Sequence, residues 1–159
     1  MIDVIFAIKF AHLVAAALML GTWLAVAIFV VLAHRSDNPS VVALVFQFVV
    51  RVEITVVAAA FALEPLSGFP LAWSIGLAPF NEFWIDISLV IYLAVLACWL
   101  MAVRTEMRIR HLTREAALNA VSLGPPYRRL FRLWCALAGP ILIGMTTVFA
   151  LMVWQPRLD

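Results

Sequence analysis

Charge is scarce in this chain: Asp, Glu, Lys and Arg make up 13% of its 159 residues, while 66% are hydrophobic. A water-soluble domain is thereby excluded, because so few charges could not cover so much apolar surface, and the bilayer has to act as solvent. Cysteine is nearly absent. Cys98 and Cys135 have neither C-x-x-C spacing nor a secreted-domain framework, so they read as small packing residues. The chain also lacks a P-loop, an H-E-x-x-H helix, a Cys/His zinc pattern and a G-x-S-x-G elbow, which removes the common chemistries of soluble enzymes. The net charge of +2 says little as a total, and no nucleic-acid partner is expected.

What is present is a set of long apolar runs, with a mean hydropathy of +1.08. Four of them, at 4–32, 40–63, 84–104 and 130–154, reach at least ~30 Å at ~1.5 Å per residue, the thickness of the hydrocarbon core. They predict an all-α bundle of four transmembrane helices, a single integral membrane domain over 1–159. The opening run is too long, and too weakly basic at its start, for a cleaved signal peptide, since Asp3 precedes Lys9; it is expected to be retained. Ser36-Asp37-Asn38-Pro39 supplies a cap and a helix-starting proline, giving a tight hairpin. The second run is expected to end at Glu64-Pro65. The segment leading on to Trp84 carries Pro70, Gly76 and Pro79 together with Leu66, Phe69, Leu71, Trp73, Ile75 and Phe80, so it reads as an apolar outer linker in the interface or over the bundle mouth. Beyond Arg104, the spacing of Ile109, Leu112, Ala116, Ala120 and Leu123 predicts an amphipathic extension of helix three into the cytoplasm, stopped by Gly124-Pro125-Pro126. A kink is expected near Gly139-Pro140.

Orientation follows from the arginines. Seven of the eleven basic residues (Arg104, Arg108, Arg110, Arg114, Arg128, Arg129, Arg132) flank the connection between helices three and four, which the positive-inside rule places in the cytoplasm. Both termini and residues 64–83 then face outward, in a bacterial inner membrane. The basic cluster sets topology and contacts anionic lipid.

The functional candidates are the ionisable groups inside the spans. Lys9 and His12 share one face of helix one, continued by Ala16, Met19 and Trp23, while Ala17, Gly21 and Ala25 form a small-residue stripe on the opposite face suited to close packing. Helix two carries Gln47, Arg51 and Thr55 on one side and Glu53 on another. Counting back from Glu64 puts Arg51 and Glu53 ~16 to 20 Å from the outer end, near the depth of His12, so Lys9, His12, Arg51 and Glu53 are expected to converge in one buried site. His34 lies ~33 Å along the helix from His12 and reads as solvated in its turn, as does His111 among the arginines.

A neutral imidazole is a good axial ligand for haem iron, and cationic side chains can hold porphyrin carboxylates. The same group would suit a quinone head group or a proton relay, and the residues alone leave these readings open. The expectation taken forward is a b-type haem or related tetrapyrrole on His12, with Lys9, Arg51 and Glu53 around it, serving an oxidoreductase linked to the quinone pool. Against it stand a non-catalytic accessory or assembly subunit of a larger membrane complex and a small proton-coupled carrier; a homo-oligomer or a larger complex is the protein partner left open. Met19, Met101 and Met145 are candidates for a second axial ligand.

The chain resembles a family of small bacterial integral membrane proteins of unassigned function. That resemblance rests on Ile8-Lys9-Phe10-Ala11-His12-Leu13 with Gly21, on Arg51-Val52-Glu53, on Glu64-Pro65-Leu66-Ser67-Gly68, on Trp84, and on Tyr127-Arg128-Arg129 through Leu133-Trp134 to Leu151-Met152-Val153-Trp154-Gln155-Pro156. The Lys-x-x-His opening is also similar to that of the HemJ-type protoporphyrinogen oxidases, small haem b membrane proteins; it implies His12 as haem ligand and Lys9 beside it. The methionine–arginine pattern of that family's second helix is only loosely replaced here by Arg51 and Glu53.

Overall fold

A computed structural model describes residues 2–74, 76–77 and 82–155. They form four helices, each long and apolar enough to cross a membrane: α1 (Ile2–Arg35), α2 (Pro39–Ser74), α3 (Phe83–Leu118) and α4 (Pro125–Trp154), with no strand among the described residues. The all-α four-span reading holds. Ile75, Pro79 and Phe80 of the expected linker lie outside the described residues, as does Pro156.

The α1–α2 turn is built as its sequence requires. Asn38 has extended backbone, and its Oδ1 accepts from the amides of Ser40 (3.0 Å) and Val41 (3.4 Å), while Pro39 takes the first helical position, where a missing N–H costs nothing. Asp37 adopts a left-handed conformation, φ 48°, which an acidic side chain tolerates in a tight turn.

Helix α2 departs from expectation. It does not stop at Glu64-Pro65 but continues through Pro65 and Pro70 to Ser74, so the expected outer linker is mostly helix. Proline at 65 leaves the Phe61 carbonyl without its intrahelical donor. The Tyr92 hydroxyl of α3 fills that place, donating to Phe61 O at 2.6 Å. Tyr92→Phe is therefore expected to lower stability by about 1 kcal/mol, measurable as a lower midpoint of thermal unfolding in detergent with the helical circular dichroism of the folded state unchanged. An unchanged midpoint would show that the carbonyl does not need this donor.

A second irregularity lies deeper in α2. Glu53–Val57 form a wide π turn between the α-helical stretches Pro39–Val52 and Ala58–Ser74. The turn marks a change of neighbour: the first stretch packs on α3 and the second packs on α1. As its second stretch leans toward α1, α2 parts from α3 and leaves space between α1, α2, α3 and α4 at that end.

Helix α3 holds 36 residues, or ~54 Å, more than one crossing of a ~30 Å core needs. It ends at Leu118, where Asn119 Nδ2 donates back to Glu115 O (2.9 Å) and Ala120 turns left-handed, φ 52°. Ala120 and Leu123, expected on the helical extension, thus lie beyond it. Gly124-Pro125-Pro126 was expected to stop helix three, but it starts α4, with Gly124 as N-cap and Pro125 in the first turn. Helix α4 runs unbroken through Gly139-Pro140 to Trp154. It packs extensively on α3, and Gly144 is a point of close approach: a Cβ there would collide with Val95 Cγ2.

Candidate functional site

His12 is buried on the inner face of α1, together with Ala15, Met19 and Trp23. Its partners come from the second half of α2. The Ser67 hydroxyl donates to carbonyl oxygens of its own helix, Leu63 O at 2.5 Å and Glu64 O at 3.2 Å. With its one hydrogen so committed, the Ser67 oxygen accepts from His12 Nδ1, 2.9 Å away. Glu64 Oε2 lies 3.3 Å from the same nitrogen. Two oxygens therefore hold the Nδ1 hydrogen, and in the neutral ring the lone pair is on Nε2. Gly68 completes the seat, since a Cβ there would stand 3.2 Å from His12 Cε1, closer than side chains normally approach.

The imidazole borders a cavity of about 280 Å³ at the end where α2 leaves α3. Apolar side chains line it, among them Leu20, Phe69, Trp84, Leu89 and Phe149, and the thioethers of Met19, Met145 and Met152 reach it from α1 and α4. Rim residues Leu13, Phe69 and Val153 are exposed, so the cavity opens onto the surface that faces lipid. Lys9, exposed, stands on the rim one turn from His12. At the same end Trp73 and Trp154 are exposed, placed as interfacial anchors. The cavity thus lies just inside one membrane surface.

The expected convergence of four residues does not form. Lys9 and His12 meet at the cavity, but Arg51 is exposed elsewhere on α2, and Glu53 is wholly buried deeper in the bundle. Glu53 precedes Glu64, the actual partner of His12, by eleven residues, or ~16 Å of helix rise. Met101, a candidate second ligand, is exposed away from the cavity, whereas Met19 and Met145 line it.

Glu53 belongs to a second polar cluster, to which all four helices contribute. Trp99 Nε1 on α3 donates to Glu53 Oε2 (2.6 Å), and Trp134 Nε1 on α4 donates to Glu106 Oε1 (2.7 Å). Trp134 in turn stacks on Trp23 of α1, with ring centroids 6.0 Å apart and planes 10° from parallel.

His34 was expected in solvent, yet it is half-buried. Its Nδ1 lies 2.9 Å from the Tyr127 hydroxyl, and its ring stacks on Phe131 at 3.7 Å, because the start of α4 closes over the α1–α2 turn. His111 is exposed, 3.5 Å from Glu115, as expected.

Glu64, Ser67, Trp99, Glu106 and Trp134 were not among the expected site residues. A signal for Glu106 was present: Ala102, Ile109 and Thr113 recur with it at spacings of three and four, marking the buried face of α3.

No curated protein and no solved structure matches this chain. A family model does, over residues 6–156, and its description is "Predicted integral membrane protein (DUF2269)". Four membrane-length helices and a match over nearly the whole sequence agree, and the chain belongs to that family of integral membrane proteins.

Proposed function

We propose that the protein binds a b-type haem or related tetrapyrrole in the outer cavity, with His12 Nε2 as iron ligand, and that it serves as a redox protein or porphyrin oxidase working with the quinone pool of a bacterial inner membrane. The observation that carries this reading is the way His12 is held. Metal-ligating histidines commonly donate their second ring hydrogen to an oxygen that fixes tautomer and orientation, and Ser67 and Glu64 supply such oxygens at Nδ1. A flat apolar macrocycle suits the lining, Lys9 at the rim suits a carboxylate, and the thioethers of Met19 and Met145 provide candidates for a second ligand. Haem would supply one-electron chemistry; the chain supplies the oriented imidazole, the rim cation and an apolar enclosure. Arg51, away from the cavity, takes no part in this reading, and Glu53 serves the central cluster. With termini outward by arginine distribution, the cavity lies at the outer surface and the arginine-rich end of α3 reaches the cytoplasm.

Protein purified in mild detergent from haem-replete cells is expected to be coloured, with a Soret band that shifts on reduction. The band is expected to vanish in His12→Ala and to persist in Arg51→Gln. A colourless wild-type preparation overturns the reading.

Two unpartnered faces favour a second reading, an accessory subunit of a larger membrane complex. Ala17, Gly21 and Ala25 on α1 and Gln47, Arg51 and Thr55 on α2 all face away from the bundle. A small-residue stripe invites close helix packing, and an arginine within the membrane calls for a partner. Stable co-purification with another membrane protein, together with wild-type behaviour of His12→Ala, would favour this reading over the first.

A further inference from the structure

The central cluster contains two glutamates that the haem reading does not use. Glu53 and Glu106 are both wholly buried. Each accepts one hydrogen bond, from Trp99 and from Trp134, and each keeps a second oxygen, Glu53 Oε1 and Glu106 Oε2, that is buried without a partner among the described residues. Trp23 Nε1 is a third such atom, on a ring stacked against Trp134. Both carboxyls meet the buried face of α3, Glu53 through Trp99 and Glu106 from its own position about two helical turns further on.

No cation among the described residues reaches them. Between His12 and His34, α1 has no titratable residue. Arg51 on α2, Arg104 on α3 and Arg132 on α4 are exposed, as is Cys135, and no ion pair among the described residues includes either glutamate. His34 and Tyr127, nearer the turn, are engaged with one another. The described residues contain no group of three or more His, Cys, Asp and Glu that could hold a metal ion. Two unpaired carboxylates buried in one low-dielectric interior, neither facing a cation, are prohibitively costly.

We propose that Glu53 and Glu106 form a proton-binding pair at the centre of the bundle, holding a single proton between them. One carboxyl is then neutral and the other anionic, and Trp99 and Trp134 each give a fixed N–H to their own carboxyl, so either can hold the negative charge. The wide turn that begins at Glu53 and the packing of Trp134 against Trp23 set the two groups in place from four separate helices. This inference stands apart from the occupancy of the outer cavity, and it names a proton as the ligand of a second, deeper site.

The test is infrared spectroscopy of the protein in lipid, in H2O and D2O, for wild type, E53Q, E106Q and E53Q/E106Q, with E64Q as a control for the other buried glutamate. The wild-type minus double-variant spectrum is expected to contain the C=O stretch of one protonated carboxyl, displaced to lower wavenumber in D2O, and E64Q is expected to retain it. No such band means both groups are ionised, and an intensity equal to two carboxyls means both are neutral; either overturns the shared proton. Should the double variant lose its helical circular dichroism, the single variants decide. A wild-type minus single-variant difference that lacks protonated-carboxyl intensity for both E53Q and E106Q also overturns it.

Discussion

Trp134→Ala is expected to lower stability by about 3 kcal/mol, the low end of the range for truncating a buried aromatic. The low end applies because the neighbouring solvent is lipid: removing apolar surface from a bilayer protein forfeits little transfer free energy, leaving the lost contacts and the unfilled space. Trp134 is 1% exposed and stacks on Trp23 across the bundle, so truncation opens a hole between α1 and α4 that the stiff indole opposite cannot fill. The same change strips Glu106 of its indole donor and leaves both carboxyl oxygens unpartnered. Trp134→Phe separates the two contributions, because it keeps most of the ring and removes only the N–H; a loss of about 1 kcal/mol is expected there. Equilibrium unfolding in mixed micelles checks both values. Equal losses for the two variants would assign the whole effect to the hydrogen bond.

Gly144→Val is expected to cost about 1 to 3 kcal/mol, the usual range for overpacking, and to loosen α3 from α4. A glycine within a helix is intrinsically unfavourable by up to ~1 kcal/mol relative to alanine, so a larger residue would stabilise an isolated α4. The sign reverses in the bundle because the first side-chain atom would meet Val95 Cγ2, with Ile91 Cγ2 behind it at 3.4 Å. Both opposing atoms belong to β-branched side chains with little rotamer freedom, so the backbones must separate. Val95 and the adjacent Met145 line the cavity beside His12, and the separation therefore reaches it. The check is unfolding stability together with the absorption spectrum. Wild-type stability in Gly144→Val would show that the helices can part at no cost.

The spans were legible in the sequence because apolar length is a local property, and so was the first turn, where Asn38 and Pro39 act on their immediate neighbours. Helix ends were harder to read where the deciding group is distant. Pro65 reads as a stop until Tyr92, 27 residues later, supplies the donor that proline lacks. That one misreading moved the candidate site. Placing the end of α2 at Glu64 instead of Ser74 shifts every depth along the helix by ten residues, ~15 Å of rise, which sets Arg51 and Glu53 level with His12 in place of Glu64 and Ser67. Gly124-Pro125-Pro126 misled for another reason: glycine followed by proline marks the end of one helix and the start of the next equally well. The two-faced character of α1 was readable, since His12, Met19 and Trp23 are buried while Ala17, Gly21 and Ala25 face out. The pairing of tryptophans with glutamates was not, because it joins residues 28 and 46 positions apart on different helices.

The wide turn at Glu53–Val57 also has a consequence for phase. A π turn takes up one residue more than an α turn while returning the chain to the same direction. The stretch beyond it, with Glu64, Ser67 and Gly68, is therefore oriented as in an uninterrupted helix one residue shorter, and a helical wheel drawn across the turn falls out of step by ~100°. A family member with one residue fewer at this point would form a plain α-helix there and still present its serine and glycine to the histidine of the first helix. Chain length and site geometry are uncoupled at that position, so a single-residue gap between sequences there is silent for the surroundings of His12 and consequential only for the central glutamate.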